Sequence, residues 1–179
     1  MVLSNPRTQI DDARDAIKNV TNSSAVANEV AVRLAAMRSA HRLGPAYMLL
    51  AILGAMEANV AEQTLIDLVN EPITEAKVNS ERATPYDEEV SYRRRALFEL
   101  TGRGTASAQL AIEDAAYNHA NEDIRWAGLR ALSFGKSEAE RETIKSQIRA
   151  EDRHAVDRPN RQDPDFAARY QYMKDNYSN

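Results

Sequence analysis

Three histidines, His41, His119 and His154, are the side chains best suited to metal binding or proton transfer near neutral pH. They lie far apart in the chain, and none belongs to an H-E-x-x-H pattern. Glu151 and His154 have the E-x-x-H spacing of di-iron helical bundles. Such a site needs a second pair of that kind and two further glutamates, and no second pair exists. The spacing therefore reads as a solvated helix end, and no metal is expected. Paired acids are frequent, as at Glu113-Asp114, Glu122-Asp123 and Glu138 with Glu140. Adjacent acids at a helix start are accounted for by the helix dipole. No partner base or apolar pocket is visible beside them, so general acid–base chemistry is not the reading they favour.

The remaining motifs are weaker. Cysteine is absent, which removes thiolate nucleophiles and Cys-ligated metals. No G-x-S-x-G, P-loop or G-x-G-x-x-G pattern occurs, and Gly102-Arg103-Gly104 follows a helix-like segment, so it reads as a stop and turn. Arg93, Arg94 and Arg95 form the one basic run. With Arg103 they suggest a local anion patch, but a solvated face balanced by Asp87, Glu88 and Glu89 is preferred. Trp126, the only tryptophan, lies inside "NEDIRWAGLRALSFG" (121–135). Packing is preferred for it over a ligand surface.

These residues need elements to position them, and every element in view is helical. Apolar residues recur at i, i+3, i+4 and i+7 almost throughout. The chain has 43% hydrophobic and 6% aromatic residues, with 29 alanines. That favours closely packed helices, because alanine has the highest helix propensity. Punctuation divides the pattern into helices over about 6–20, 25–43, 46–57, 60–70, 87–101, 106–119, 121–135, 138–150 and 164–177. Gly44-Pro45 reads as a stop and restart. Asp87, Thr105, Asn121 and Ser137 read as caps, with Ser137 and Glu140 forming a capping box. Residues 71–86 read as a long loop and 152–162 as a second polar link. The aromatic segment 166–177 reads as the cap of an exposed end.

A repeat lies within this pattern. A shift of 32 sets Tyr92-Arg93 on Ile124-Arg125, Ala96-Leu97 on Gly128-Leu129, and Leu100-Thr101 on Leu132-Ser133. A third copy is sought at 32–44, with Val32, Arg33, Ala36, Met37 and Ala40 on the same positions. The small position admits a neighbouring helix. The arginine lies beside the apolar stripe, where its head can bind a carbonyl or carboxylate.

The acid-x-acid, Val/Ile-Arg, Ala, Ala-Leu, Gly order resembles the first helix of HEAT-like repeats. The resemblance is clear over about 87–150, weaker over 25–70, and lost over 1–20 and 151–179. It implies one all-α domain over 1–179, a HEAT-like α-α superhelix of stacked hairpins. It implies a non-catalytic protein-interaction module, binding another protein along its second helices. The candidate binding surface is then Gln109, Glu113, Tyr117 and His119 from 107–120, with Glu142, Lys145 and Arg149 from 138–150, and Trp126 nearby.

HEAT-like folds also include bilin lyases and DNA glycosylases. A bilin-lyase-like small-molecule site is the alternative. The glycosylase reading is disfavoured by a net charge of −4, which gives no basic field for nucleic acid. No cofactor and no membrane insertion are expected, since the most apolar run (46–56) is too short to span a bilayer. No signal peptide is visible, so a cytoplasmic location is expected. A plain helical bundle that dimerises through its Ala-rich helices is the third option.

Overall fold

Side-chain oxygens start most of the helices. The computed structural model describes residues 23–80 and 83–157. Ser23 opens α1 (Ser24–Ser39) by accepting from the Val26 amide at 3.3 Å. Then come α2 (Leu43–Ala55) and α3 (Asn59–Asn70). Thr84 opens α4 (Pro85–Thr101), Thr105 opens α5 (Ala106–Asn118) and Asn121 opens α6 (Glu122–Leu132). Ser137 opens α7 (Glu138–Gln147) in a capping box with Glu140. Hydrogen bonds from the Ser137 hydroxyl and amide hold the Glu140 carboxyl at about 2. A 3-10 turn (Ala150–Asp152) leads into the short α8 (Arg153–Asp157). The described residues are all-helical, with no strand among them. No helix among them is long and apolar enough to cross a membrane.

The helices pack in a regular order. α1 contacts α2 and α3, α2 contacts α3 and α4, α3 contacts α4 and α5, and α4 contacts α5 and α6. α5 packs extensively on α6, and α8 lies against both α6 and α7. One apolar core runs through them, from Ala27 and Leu34 to Ile144, Ala155 and Val156. Gly128 is central to the α5–α6 contact. A Cβ placed there would stand 2.6 Å from the Ala116 amide nitrogen and 2.9 Å from the Ala115 carbonyl carbon. Only hydrogen fits, so the small residue at this position admits a close neighbour.

Several local expectations are corrected. α1 stops at Ser39, and His41, not Gly44, takes the left-handed conformation at φ 52°. The His41 amide bonds Arg38 O at 2.9 Å and the Arg42 amide bonds Met37 O at 2.8 Å, a Schellman closure. Gly44 and Pro45 then fall inside the first turn of α2, where a missing N–H costs nothing. The third repeat copy fails on burial. Val32 is 66% exposed, and α1 packs instead through Ala27, Val30 and Leu34. Thr84, not Asp87, caps α4; Asp87 is the acid at the third position of that capping box. Residues 152–157 are not a polar link, since Asp152, Ala155 and Val156 are buried. The helices expected over 6–20 and 164–177 lie outside the described residues.

Candidate functional site

Arginine heads clasp helix ends at three places. Arg93 of α4 is fully buried. Its Nε donates to Glu71 O at 3.0 Å and its Nη2 to Pro72 O at 3.3 Å, just past the end of α3. Its Nη1 donates to the Glu89 carboxylate at 2.5 Å. Arg125, at the equivalent position of α6, donates from Nη1 to His119 O and Ala120 O, both at 3.1 Å, past the end of α5. Its Nε reaches Asp152 Oδ2 at 3.0 Å. Arg103 donates to Leu53 O at 3.2 Å and Met56 O at 2.7 Å, closing α2, and to Glu62 at 2.8 Å. Carbonyls at a helix C-terminus have no intrahelical partner, and a cation there is favoured by the dipole. Arg93 and Arg103 therefore do not belong to a solvated basic face. They are structural, and of the run Arg94 alone is exposed.

The carboxylates facing these arginines are held ionised. Burial pushes the Asp152 carboxyl up, but hydrogen bonds from Arg125 and Trp126 outweigh it and leave it below the ordinary range. Burial likewise opposes ionisation of Glu89, where Arg38 and Arg93 win. At Glu62 it is outweighed by Ser107, Thr105 and Arg103. Each folded-state value lies below its unfolded one, so the unfolded chain binds more protons as pH falls through about 4. Stability from these groups is fully present above that point and is lost below it. Burial lowers His119, whose Nδ1 accepts the Asn121 amide at 3.0 Å, so the loss begins below about pH 6.5. A series of thermal melts should show Tm level near neutrality, slipping below pH 6.5 and dropping steeply between about pH 5 and 3. A Tm unchanged across that range would contradict the clasps.

Trp126 is part of the last clasp. Its Nε1 donates to Asp152 Oδ1 at 2.6 Å, and its ring meets His154 edge-on at 4.6 Å between centroids. It thus packs toward the following element, α8. The acids at the start of α6 are engaged too. Lys77 bonds Glu122 at 3.1 Å and Asp123 at 3.0 Å, and the Tyr86 hydroxyl donates to Asp123 at 2.8 Å. These bonds pin the 71–80 segment across the start of α6.

The other expected binding residues separate into two groups. Gln109 and Glu113 bond each other at 2.8 Å along α5, and the Tyr117 hydroxyl reaches Gln147 of α7 at 3.3 Å. Glu142 bonds Lys145 at 2.7 Å on α7, and Lys145 also pairs with Asp157 of α8. Arg149 is exposed beyond the end of α7. Gln109, Glu113 and Tyr117 thus share one side of α5 that reaches toward α7. His119 is set apart, half-buried against Asn121. Compared with known protein families, curated proteins and solved structures, the chain matches none of them.

An open groove of about 580 Å³ lies where α4 and α6 end and α5 begins. Leu100, Ile112, Ala131 and Leu132 form its buried floor. Gln109 and Lys136 stand at its polar edge, with Phe134, 43% exposed, beside them. Leu110, one residue beyond Gln109, is 66% exposed. Of the residues expected to bind, only Gln109 lines this groove. Phe134 and Lys136 carry no periodic signal, so the sequence pattern passes over them. Phe134 stands after the last packing position of its helix and before Gly135, where an apolar side chain has no core role to fill. That mismatch is the one local sign available in the sequence.

Proposed function

We propose that the chain is a non-catalytic protein-interaction module with HEAT-like superhelical order. Each of α1 to α4 touches its next and next-but-one neighbours, as stacked hairpins require. The arginines at equivalent repeat positions hold equivalent helix ends, which supports the same reading. The buried ionisable groups Glu62, Glu89 and Asp152 are consumed by these bonds. The observation that carries the function is the groove itself, with its apolar floor and the exposed Phe134 in its lining, and with exposed Leu110 one helical turn along α5 from the lining residue Ala106. Large apolar side chains clustered at a concavity mark contact surfaces.

The test is site-resolved photo-crosslinking in extracts of the source cell. A photoreactive residue replaces Leu110, Phe134 or, as control, Val32 on α1. Cross-linking of one and the same protein from the two groove positions, and not from the control, is the expected result. Equal labelling from all three positions would sink the proposal. The groove volume also lies in the range of small-molecule sites, which favours a ligand-binding second reading. Native mass spectrometry showing a stoichiometric small molecule, displaced by Phe134→Trp, would decide for it.

A further inference from the structure

We infer that residues 73–80 form a strap latched across the start of α6 by Lys77, and that acylation of Lys77 unlatches it while the helices stay folded. The chain at 71–80 has neither helix nor strand. Arg93 fixes its beginning through the Glu71 and Pro72 carbonyls. Ile73 packs at the edge of the core, and of residues 74–80 only Glu75 is half-buried. Lys77 ties this exposed stretch to a helix start 45 residues further along the chain, bonding Glu122 at 3.1 Å and Asp123 at 3.0 Å. Its ammonium also stands over the ring of the buried Tyr86, 5.7 Å from the ring centre.

Both kinds of contact depend on the charge of Lys77. An acyl group on the amine removes the ion-pair donor and the cation over the ring together. The helices do not depend on it. The Asn121 side chain caps α6 by accepting from the Asp123 and Ile124 amides, and Thr84 with Asp87 caps α4. Asp123 keeps the Tyr86 hydroxyl, and both acids remain favoured at a helix start. The latch also opens easily. Lys77 is 57% exposed and Glu122 51%, and pairs between exposed groups are weak and screened by salt. Lys77 is the most exposed of the three described lysines. In the closed strap, hydrogen bonds to Asp123 and Glu122 hold its ammonium protonated above the ordinary lysine range, so it is no nucleophile. In the open strap the ammonium can lose a proton to water. The free amine then adds to the carbonyl carbon of an acyl thioester, the carbon–sulfur bond breaks, and the thiol leaves with the second amine proton. The neutral amide cannot rebuild the ion pairs, so acylation traps the open strap.

The test is cleavage of the full chain after Glu75 by a glutamate-specific protease, with the site fixed by mass spectrometry. Cleavage there reads the open population of the strap. Lys77→Gln should speed it about three- to tenfold with Tm unchanged. Raised salt should bring the parent toward that rate and leave the variant's rate alone. Lys77→Arg, which keeps the charge, should be cleaved as slowly as the parent. Glu122→Gln should speed cleavage less than Lys77→Gln does, and added to it should change nothing further. Full chain incubated with an acetyl thioester in extract of the source cell should carry the acetyl group on Lys77, and that form should be cleaved at the Lys77→Gln rate. Equal cleavage of parent and Lys77→Gln, a lowered Tm in Lys77→Gln, Lys77→Arg cleaved as fast as Lys77→Gln, or acetylation that spares Lys77 would each overturn the inference.

Discussion

Gly128→Val should destabilise the chain by about 3 kcal/mol or more, although it removes a glycine from the middle of a helix. Two effects oppose each other. Replacing a mid-helix glycine gains up to about 1 kcal/mol of helix propensity for alanine, and less for a β-branched residue. Against that, the first added carbon would lie 2.6 Å from the Ala116 nitrogen and 2.9 Å from both the Ala116 Cα and the Ala115 carbonyl carbon. Those are backbone atoms of a packed helix, so no rotamer change relieves the clash. α5 and α6 must separate, and the buried side chains Ile112, Ala115, Ile124 and Leu129 lose contact with them. Tm should fall by about 6 °C or more at this chain length. Gly128→Ala should show the same sign with a smaller shift. An unchanged Tm for the alanine variant would mean that the helices are not this close. Gly44, which has no atom within 4 Å of an added Cβ, is the control. Its alanine variant should be neutral or slightly stabilising.

Arg93→Ala should cost about 3–5 kcal/mol, the range for removing one partner of a buried charged pair. The side chain is 1% exposed and serves two carbonyls past α3 as well as Glu89. Its loss leaves Glu89, 16% exposed, paired with Arg38. It also leaves the Glu71 and Pro72 carbonyls without their donor. Arg93→Lys should recover only part of this, because an ammonium cannot present the fork that reaches a carboxylate and two carbonyls together. Urea melts of the two variants would show it. A lysine variant as stable as the parent would mean that charge alone, without the fork, holds the end of α3. Arg125→Ala should behave similarly at the end of α5, and because it strands Asp152 it should also shift Trp126 fluorescence.

The all-helical class was legible because it depends on local quantities. Caps, glycines and the 3.6-residue period are written into neighbouring residues, so Thr105, Asn121 and Ser137 announce their helices. The 32-residue shift sets Arg93 on Arg125, and both donate to carbonyls just past the end of the preceding helix. What escaped was set by partners distant in sequence. Val32 and Val30 are alike in type, and only the position of α2 and α3 decides which is buried. Asp152 read as polar linker because nothing local reveals that Arg125 and Trp126 both reach it across the fold. The groove escaped for the strongest version of that reason. Its floor comes from three helices, and its solvent-facing residues Phe134 and Lys136 stand where periodicity has ended.

The order of helix contacts has a kinetic consequence. No described helix depends mainly on a partner more than two elements away, so the chain closes only short loops to reach its native pairings. Topologies of that kind have low contact order and fold quickly. Growth can begin at the closest pair, α5 and α6, and spread outward to both sides. Substitutions at Gly128 would then slow refolding, while those in α1 would mainly quicken unfolding.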